Sequence, residues 1–282
     1  MRVLVPGARG MLGKEIVATL EARGDSVLGV GHDELDITDG AAVEAFLAQA
    51  APHVVVNCAA YTRVDEAETD EKRATRINAL GPENLARACR SVHARLVHFS
   101  TDFVFDGRKG RPYEPDDPPA PLSAYGRSKL RGEEAVQAVG GEFLIVRTSW
   151  LYGAGGPNFV LSVLERGRRG EPLRIVDDQV GRPTWARNLA AVTADLLTAG
   201  ARGVFHVTDS GRETTWYEFG RRILELAGVE VPVRAVTSSE WGAAAPRPPY
   251  SVLDLAATER FLGRSMEPWD AALKRFLETL DR

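Results

Sequence analysis

Arg2-Val3-Leu4-Val5-Pro6-Gly7-Ala8-Arg9-Gly10-Met11-Leu12-Gly13 is the stretch that decides the fold. A short apolar run of strand formers leads straight into three glycines spaced three apart, and a helical pattern follows at once. In that pattern Leu12, Ile16, Val17 and Leu20 are apolar at helical spacing, and Gly24 is the stop. A strand that passes through such a turn into a helix is suited to a dinucleotide. Gly7 permits the tight turn, Gly10 lets backbone approach a pyrophosphate, and Gly13 allows close helix–strand packing. The phosphate then rests on the helix N-terminus, where Met11 and Leu12 join the candidate cofactor contacts.

Working outward, the pattern predicts a helix over 11–23, a strand over 26–30, a helix over 40–49 and a strand over 53–57. A long helix over about 69–92, broken near Gly81-Pro82, leads to a strand at 96–99. A helix over 125–139 and a strand over 143–147 complete this half. Alternating β and α with continuous apolar strands argues an α/β fold, a Rossmann-like doubly wound parallel sheet, over residues 1–150. Past Trp150 the rhythm changes to short elements between Gly and Pro clusters, with helices expected at 158–166, 186–198, 215–227, 255–262 and 268–280. Residues 151–282 are expected to form mainly a smaller α/β substrate-binding lobe, with some segments returning to the first domain.

Composition narrows the partners. The 282 residues carry a net charge of −4, which gives no support for nucleic acid or an anionic membrane surface. No apolar run is long enough to span a bilayer, and Met1 leads directly into a core strand, so neither a membrane anchor nor a signal peptide is expected. Cys58 and Cys89 fit neither a disulfide framework nor a metal spacing. The expected location is the cytoplasm.

Chemistry concentrates between Ser100-Thr101-Asp102, at the end of a predicted strand, and Tyr125-Gly126-Arg127-Ser128-Lys129, at the start of a predicted helix. Tyr125 and Lys129 are an i,i+4 pair, with Cβ atoms about 5–6 Å apart on one helix face. A phenol of ordinary pKa, about 10, is a poor proton shuttle at neutral pH. A fixed ammonium one turn along is expected to favour the phenolate and bring the group toward its working range. A bare pair of this kind is usually a solvated helix face; the nucleotide turn at the chain's start is what gives it meaning.

The choice of nicotinamide cofactor turns on the end of the second strand, Val30-Gly31-His32-Asp33. Arg9 and His32 are candidates to hold the 2′-phosphate of NADP, whereas Asp33 argues for the free ribose of NAD. NADPH is narrowly favoured, with NADH also accepted. Asp36 and Ile37, and Ala59, Ala60 and Thr62 after the third strand, fall where adenine and ribose contacts are expected.

Taken in order, the glycine turn, Asn57-Cys58-Ala59-Ala60, Ser100-Thr101-Asp102 and the Tyr-Lys pair resemble the extended short-chain dehydrogenase/reductases. Further segments resemble, within these, the dTDP-4-dehydrorhamnose reductase family: Leu35-Asp36-Ile37-Thr38-Asp39, Ala59-Ala60-Tyr61-Thr62, Ser100-Thr101-Asp102-Phe103-Val104-Phe105, Arg147-Thr148-Ser149-Trp150-Leu151-Tyr152-Gly153, Asp178-Gln179-Val180-Gly181-Arg182-Pro183-Thr184 and Arg247-Pro248. The resemblance implies reduction at C4 of a dTDP-linked 4-keto sugar, the nucleotide sugar being the partner. Tyr125 would protonate the C4 oxygen, Lys129 would bind the nicotinamide ribose, and Thr101 would orient the keto oxygen. Asp102 and Trp150 match sugar-contacting positions, and Val64 lies near them. Arg247 is a candidate to pair bidentately with the diphosphate. Some members of this family dimerise through a magnesium site of glutamates, and Glu15 sits at a matching position. The sequence offers no convincing glutamate near Arg187-Asn188 as a further ligand, so no required metal and a monomer or weak homodimer are expected. The rival readings are another nucleotide-sugar ketoreductase or epimerase of this fold, and a non-catalytic regulatory relative.

Overall fold

The central sheet of the computed structural model, which describes residues 1–280, has six parallel strands. The final two residues of the expected second lobe, 281–282, lie outside the described residues. The strands are β1 (Arg2–Pro6), β2 (Ser26–Val30), β3 (Val54–Asn57), β4 (Arg95–Thr101), β5 (Phe143–Thr148) and, from the second half, β10 (Gly203–His206), in the order β10-β5-β4-β3-β1-β2. Three two-stranded pieces stand apart. β6 (Leu151–Tyr152) pairs with β9 (Thr184–Trp185), β7 (Leu173–Val176) with β12 (Val233–Val236), and β8 (Val180–Gly181) with β11 (Thr214–Thr215).

Helices cover both faces of the large sheet. On one face α1 (Met11–Ala22) and α7 (Ala186–Thr198) bury Ile16, Leu20, Leu189 and Leu196 against Val3, Val5 and Val97. On the other, α2 (Gly40–Ala50), α4 (Gly81–Ser91) and α5 (Ala124–Val139) bury Val43, Leu47, Leu85 and Val136 against Leu4, Val55 and Ile145. The remaining helices are α3 (Glu71–Thr75), α6 (Phe159–Arg168), α8 (Trp216–Leu226), α9 (Ser238–Trp241), α10 (Ala256–Leu262) and α11 (Trp269–Leu280). A second apolar centre around Trp185, Phe219, Trp269 and Phe276 joins α6, α8 and α11. Among the described residues no helix is long and apolar enough to cross a membrane.

The expected doubly wound sheet is present, and its strand order reverses beside β1, which pairs with β2 on one side and β3 on the other. Chains leaving the carboxyl ends of β1 and β3 therefore diverge and open a crevice, the place where folds of this kind take ligands. One predicted boundary changes character. The helix expected to break near Gly81-Pro82 continues as α3, a π-helical turn over Arg76–Leu80, and α4. Pro82 has no N–H to offer the Asn78 carbonyl, and the wider turn absorbs the missing bond. That carbonyl faces α5 at Gly132, where a Cβ would stand 2.1 Å from it.

The glycines of the opening turn divide by function. Gly7 has φ +77°, and a Cβ on it would stand 2.5 Å from the Ala59 nitrogen. A Cβ on Gly13 would meet the Gly7 carbonyl oxygen at 2.2 Å. Gly10 differs: its φ of −75° suits any residue, and its Cβ would meet only the Gly7 oxygen, at 3.3 Å. Folding needs glycine at 7 and 13, whereas at 10 the empty space faces outward. Gly13→Ala is expected to destabilise the protein by roughly 1–3 kcal/mol in thermal unfolding. Gly10→Ala should stay within about 0.5 kcal/mol of the parent yet bind a nicotinamide dinucleotide about tenfold more weakly by calorimetric titration. Equal effects of the two substitutions on stability would refute this division.

Candidate active site

Thr101 ends β4 at the carboxyl edge of the sheet, in register with Thr148 of β5. Its hydroxyl accepts the Phe103 N–H at 3.2 Å and donates to Asp102 Oδ1 at 2.9 Å. Asp102 is buried, and burial pushes its carboxyl up to about 6 despite hydrogen bonds from Ser251 and Thr101.

The start of α5 is fixed against this strand end. Ser123 Oγ accepts the Gly126 N–H at 3.1 Å, and Glu68 Oε1 accepts the Ala124 N–H at 2.7 Å, so the helix is capped one turn around Tyr125. Gly126 lets the helix touch the Asp102–Val104 turn, since a Cβ there would stand 2.3 Å from the Phe103 oxygen. The Phe103 ring meets Tyr125 edge-on with centroids 5.8 Å apart. Thr101, Asp102 and Tyr125 are thus held as one group.

The expected tuning of the phenol by Lys129 needs correction. Burial pushes Tyr125 up to about 12, the Thr101 hydroxyl opposes the shift, and the Asp102 charge adds to it. The Lys129 ammonium is directed elsewhere, donating to the Phe99 carbonyl of β4 at 2.6 Å. Burial lowers Lys129 to about 8, with Glu133 opposing. The lysine is anchored to the sheet, and burial sets the phenol.

The cofactor candidates gather in the crevice beside β1. Ala59 donates its N–H to Asn57 Oδ1 at 3.1 Å, and Ala60 and Thr62 are exposed on the same loop. Tyr61 between them is tied at both backbone groups to the Asn78 side chain, at 2.8 and 2.9 Å, and Asn78 also donates to Ser128 of α5 at 2.9 Å. Asn78 was not singled out from sequence, where it is one more polar residue inside a helical pattern. Leu12 packs toward the core. The Met11 side chain lies beneath the loop 153–158: a Cβ on Gly153 would stand 3.3 Å from Met11 Cγ, and Asn158 Nδ2 binds the Gly153 and Gly156 carbonyls at 2.7 and 2.9 Å. What read as a glycine-rich spacer folds across the start of α1. The open space at Gly10, beside the uncapped first turn of α1, fits a pyrophosphate.

At the end of β2, Arg9 does not stand open for a phosphate. It is held by Asp33 at 2.9 and 2.8 Å and by Glu34 at 2.9 Å, and Glu34 also accepts the Gly31 N–H. His32 is exposed, 3.9 Å from Asp36. Asp36 accepts the Thr38 N–H at 2.9 Å, and Ile37 is buried against Gly81.

On the opposite side, Trp150 takes a left-handed backbone with φ +47°. It stacks on Trp216 with centroids 3.6 Å apart and planes 10° from parallel, and Gly181 makes room for the indole. Trp216, at the start of α8, has no motif to mark it in the sequence. Val64 is half-buried on the loop after β3. Arg247 is likewise not an open cation: it forms a bidentate pair with Asp65 on that loop, at 3.0 and 2.9 Å, and Asp65 also accepts the Ala245 N–H. The expectation that no glutamate lies near Arg187-Asn188 is corrected by the fold: Glu15 accepts from Arg187 Nε at 3.3 Å, and Glu267, 79 residues along the chain, accepts from Asn188 Nδ2 at 3.0 Å.

Comparison with known proteins places this arrangement. The family model described as "RmlD substrate binding domain" matches residues 1–282. A dTDP-4-dehydrorhamnose reductase of Streptomyces griseus is 46% identical over 96% of this chain and 91% of its own length. A probable dTDP-4,6-dihydroxy-2-methyloxan-3-one 4-ketoreductase of Streptomyces antibioticus is 44% identical over 97% of this chain and 94% of its own. The crystal structure of dTDP-4-dehydrorhamnose reductase from Bacillus anthracis in complex with NADP superposes with a TM-score of 0.95 at 38% identity, covering 99% of both chains. With one family model spanning every residue and full-length relatives at these identities, the chain belongs to the RmlD substrate binding domain family.

Proposed function

We propose that this chain is an oxidoreductase that reduces the C4 keto group of dTDP-6-deoxy-L-lyxo-4-hexulose (dTDP-4-dehydrorhamnose) to give dTDP-L-rhamnose, with NADPH or NADH as the reductant. The observation that carries the reading is the joint placement of Thr101, Asp102 and Tyr125 at the carboxyl edge of β4, one strand from the crevice beside the glycine turn. The full-length similarity to named reductases supports it. NADP in the Bacillus anthracis relative supports NADPH as the first choice.

When bound, the cofactor supplies the hydride. Gly7, Gly10, Met11, Leu12, Gly13, Ala59, Ala60 and Thr62 would hold it, and Lys129, anchored by the Phe99 carbonyl, would receive the nicotinamide ribose with Tyr125 beside it. Tyr125 would donate its proton to the C4 oxygen. A phenol pushed up to about 12 stays protonated through the neutral range, which is the state a proton donor must start from. Thr101 would orient the same oxygen, turning its hydroxyl from Asp102 to the substrate. Val64, Asp102 and Trp150 would face the sugar, and Arg247 would exchange Asp65 for the diphosphate.

We assign residues 1–150 mainly to the cofactor and 151–282 mainly to the sugar, with β10 and α7 belonging to the first group. A second reading, a 4-ketoreductase for a related dTDP-sugar, is favoured by the Streptomyces antibioticus relative; a panel of dTDP-4-keto sugars distinguishes the two. We also read the protein as a cytoplasmic monomer or weak homodimer that needs no metal, because Arg187 already supplies a cation to Glu15.

Tyr125→Phe is expected to bind both ligands yet lose at least about 100-fold in kcat, followed at the nicotinamide absorbance band; undiminished turnover would refute the proton-donor assignment. Arg247→Ala should raise KM for the nucleotide sugar about tenfold with kcat little changed, and an unchanged KM would remove Arg247 from the site. Incubation with EDTA should leave both turnover and sedimentation as they were; loss of either would bring the metal back.

A further inference from the structure

Tyr125, Lys129 and Glu133 recur every four residues and share one face of α5. The third member has no place in the chemistry above, yet it is fully buried. Glu133 takes a bidentate pair from Arg147 of β5, Nε to Oε1 at 2.9 Å and Nη2 to Oε2 at 2.7 Å. Arg147 is only 5% exposed at its side chain. It also donates to the Pro115 carbonyl at 2.9 Å, lies 3.4 Å from His206 Nε2, and stands over the Phe105 ring at 5.1 Å. Two opposite charges taken out of water at such cost to solvation call for a reason beyond stability, since an apolar pair of similar volume commonly serves as well.

The groups facing Lys129 supply that reason. From its own helix come Tyr125 and Glu133. From β4 come the Phe99 carbonyl and His98, which is buried and held neutral by burial and by the lysine charge. From β5 comes Arg147, bonded to Glu133. Glu71 of α3 pairs with Arg127 and Arg131, which are two residues off the Tyr125–Lys129–Glu133 spacing and so point to another face of α5. Among the described residues the buried ammonium bonds a neutral carbonyl, and Glu133 is the carboxylate one turn along the same helix face.

Resting on the reductase reading, we infer that Glu133, held in place by Arg147, is a positioning residue that keeps Lys129 protonated and seated on the Phe99 carbonyl. Burial acts against the cation and lowers Lys129 to about 8, and the carboxylate acts against that fall. Removing Glu133 should lower the lysine further, so that it loses its proton within the neutral range.

The chain has five lysines, Lys14, Lys72, Lys109, Lys129 and Lys274, few enough for 13C-lysine NMR to resolve each Cε signal in the cofactor-free protein. Lys129→Met assigns the signal. In Glu133→Gln its titration should move down by about one pH unit or more, and the alkaline limb of kcat/KM should move with it. That variant leaves Arg147 buried without its partner, so Glu133→Gln/Arg147→Gln, which removes both charges, guards against a failure to fold. It should shift the signal in the same direction by a smaller amount. A Lys129 titration unchanged in a folded variant, with Lys129→Met inactive, overturns the inference and leaves the reductase reading standing. Full turnover by Lys129→Met overturns both.

Discussion

Two strand ends, those of β1 and β3, and the start of α1 must meet with no side chain between them, and the architecture follows from that. Gly7 lies against the backbone of Ala59, and Gly13 against the carbonyl of Gly7, at separations no Cβ allows. This close meeting draws β1, β3 and α1 together where the strand order reverses, and it leaves the space at Gly10 open. A similar logic acts across the sheet, where Gly126 and Gly132 let α5 lie directly on the backbone of Phe103 and Asn78. The site is positioned by these close backbone contacts.

Charge is then handled by burial. Asp102 and Tyr125 are pushed up and Lys129 is pushed down, each toward its neutral form. Burial that disfavours charge at these three groups keeps a phenol protonated and makes a retained ammonium depend on its neighbours. Glu133 and Arg147 fit that need, because the pair adds a carboxylate beside the lysine without leaving a net charge inside the protein.

Much of this was legible in the residues. The glycine spacing, the apolar strands and the helical pattern located all five leading strands and the helices around them, because each signal is local. What escaped detection was non-local. β10 is four residues, Gly203-Val204-Phe205-His206, too short to stand out until β5 is there to pair with it. Asp65 and Arg247 lie 182 residues apart, so the latch between them has no sequence signature. Glu133 follows the Tyr125–Lys129 spacing but reads as an ordinary surface glutamate until Arg147 is seen facing it. The error about the phenol had the same root: spacing brings Lys129 near Tyr125, but only the fold reveals the Phe99 carbonyl that takes the ammonium.

The stacked indoles of Trp150 and Trp216 have a consequence of another kind. Two parallel chromophores 3.6 Å apart share their excited states, and the sign and size of the resulting near-ultraviolet dichroism depend on the angle between their transition moments. Since one ring hangs from a strained residue at the cleft and the other begins a helix of the second half, a small rocking between those parts would rotate one dipole against the other. The protein thus contains an optical goniometer at its own cleft, one that needs no label.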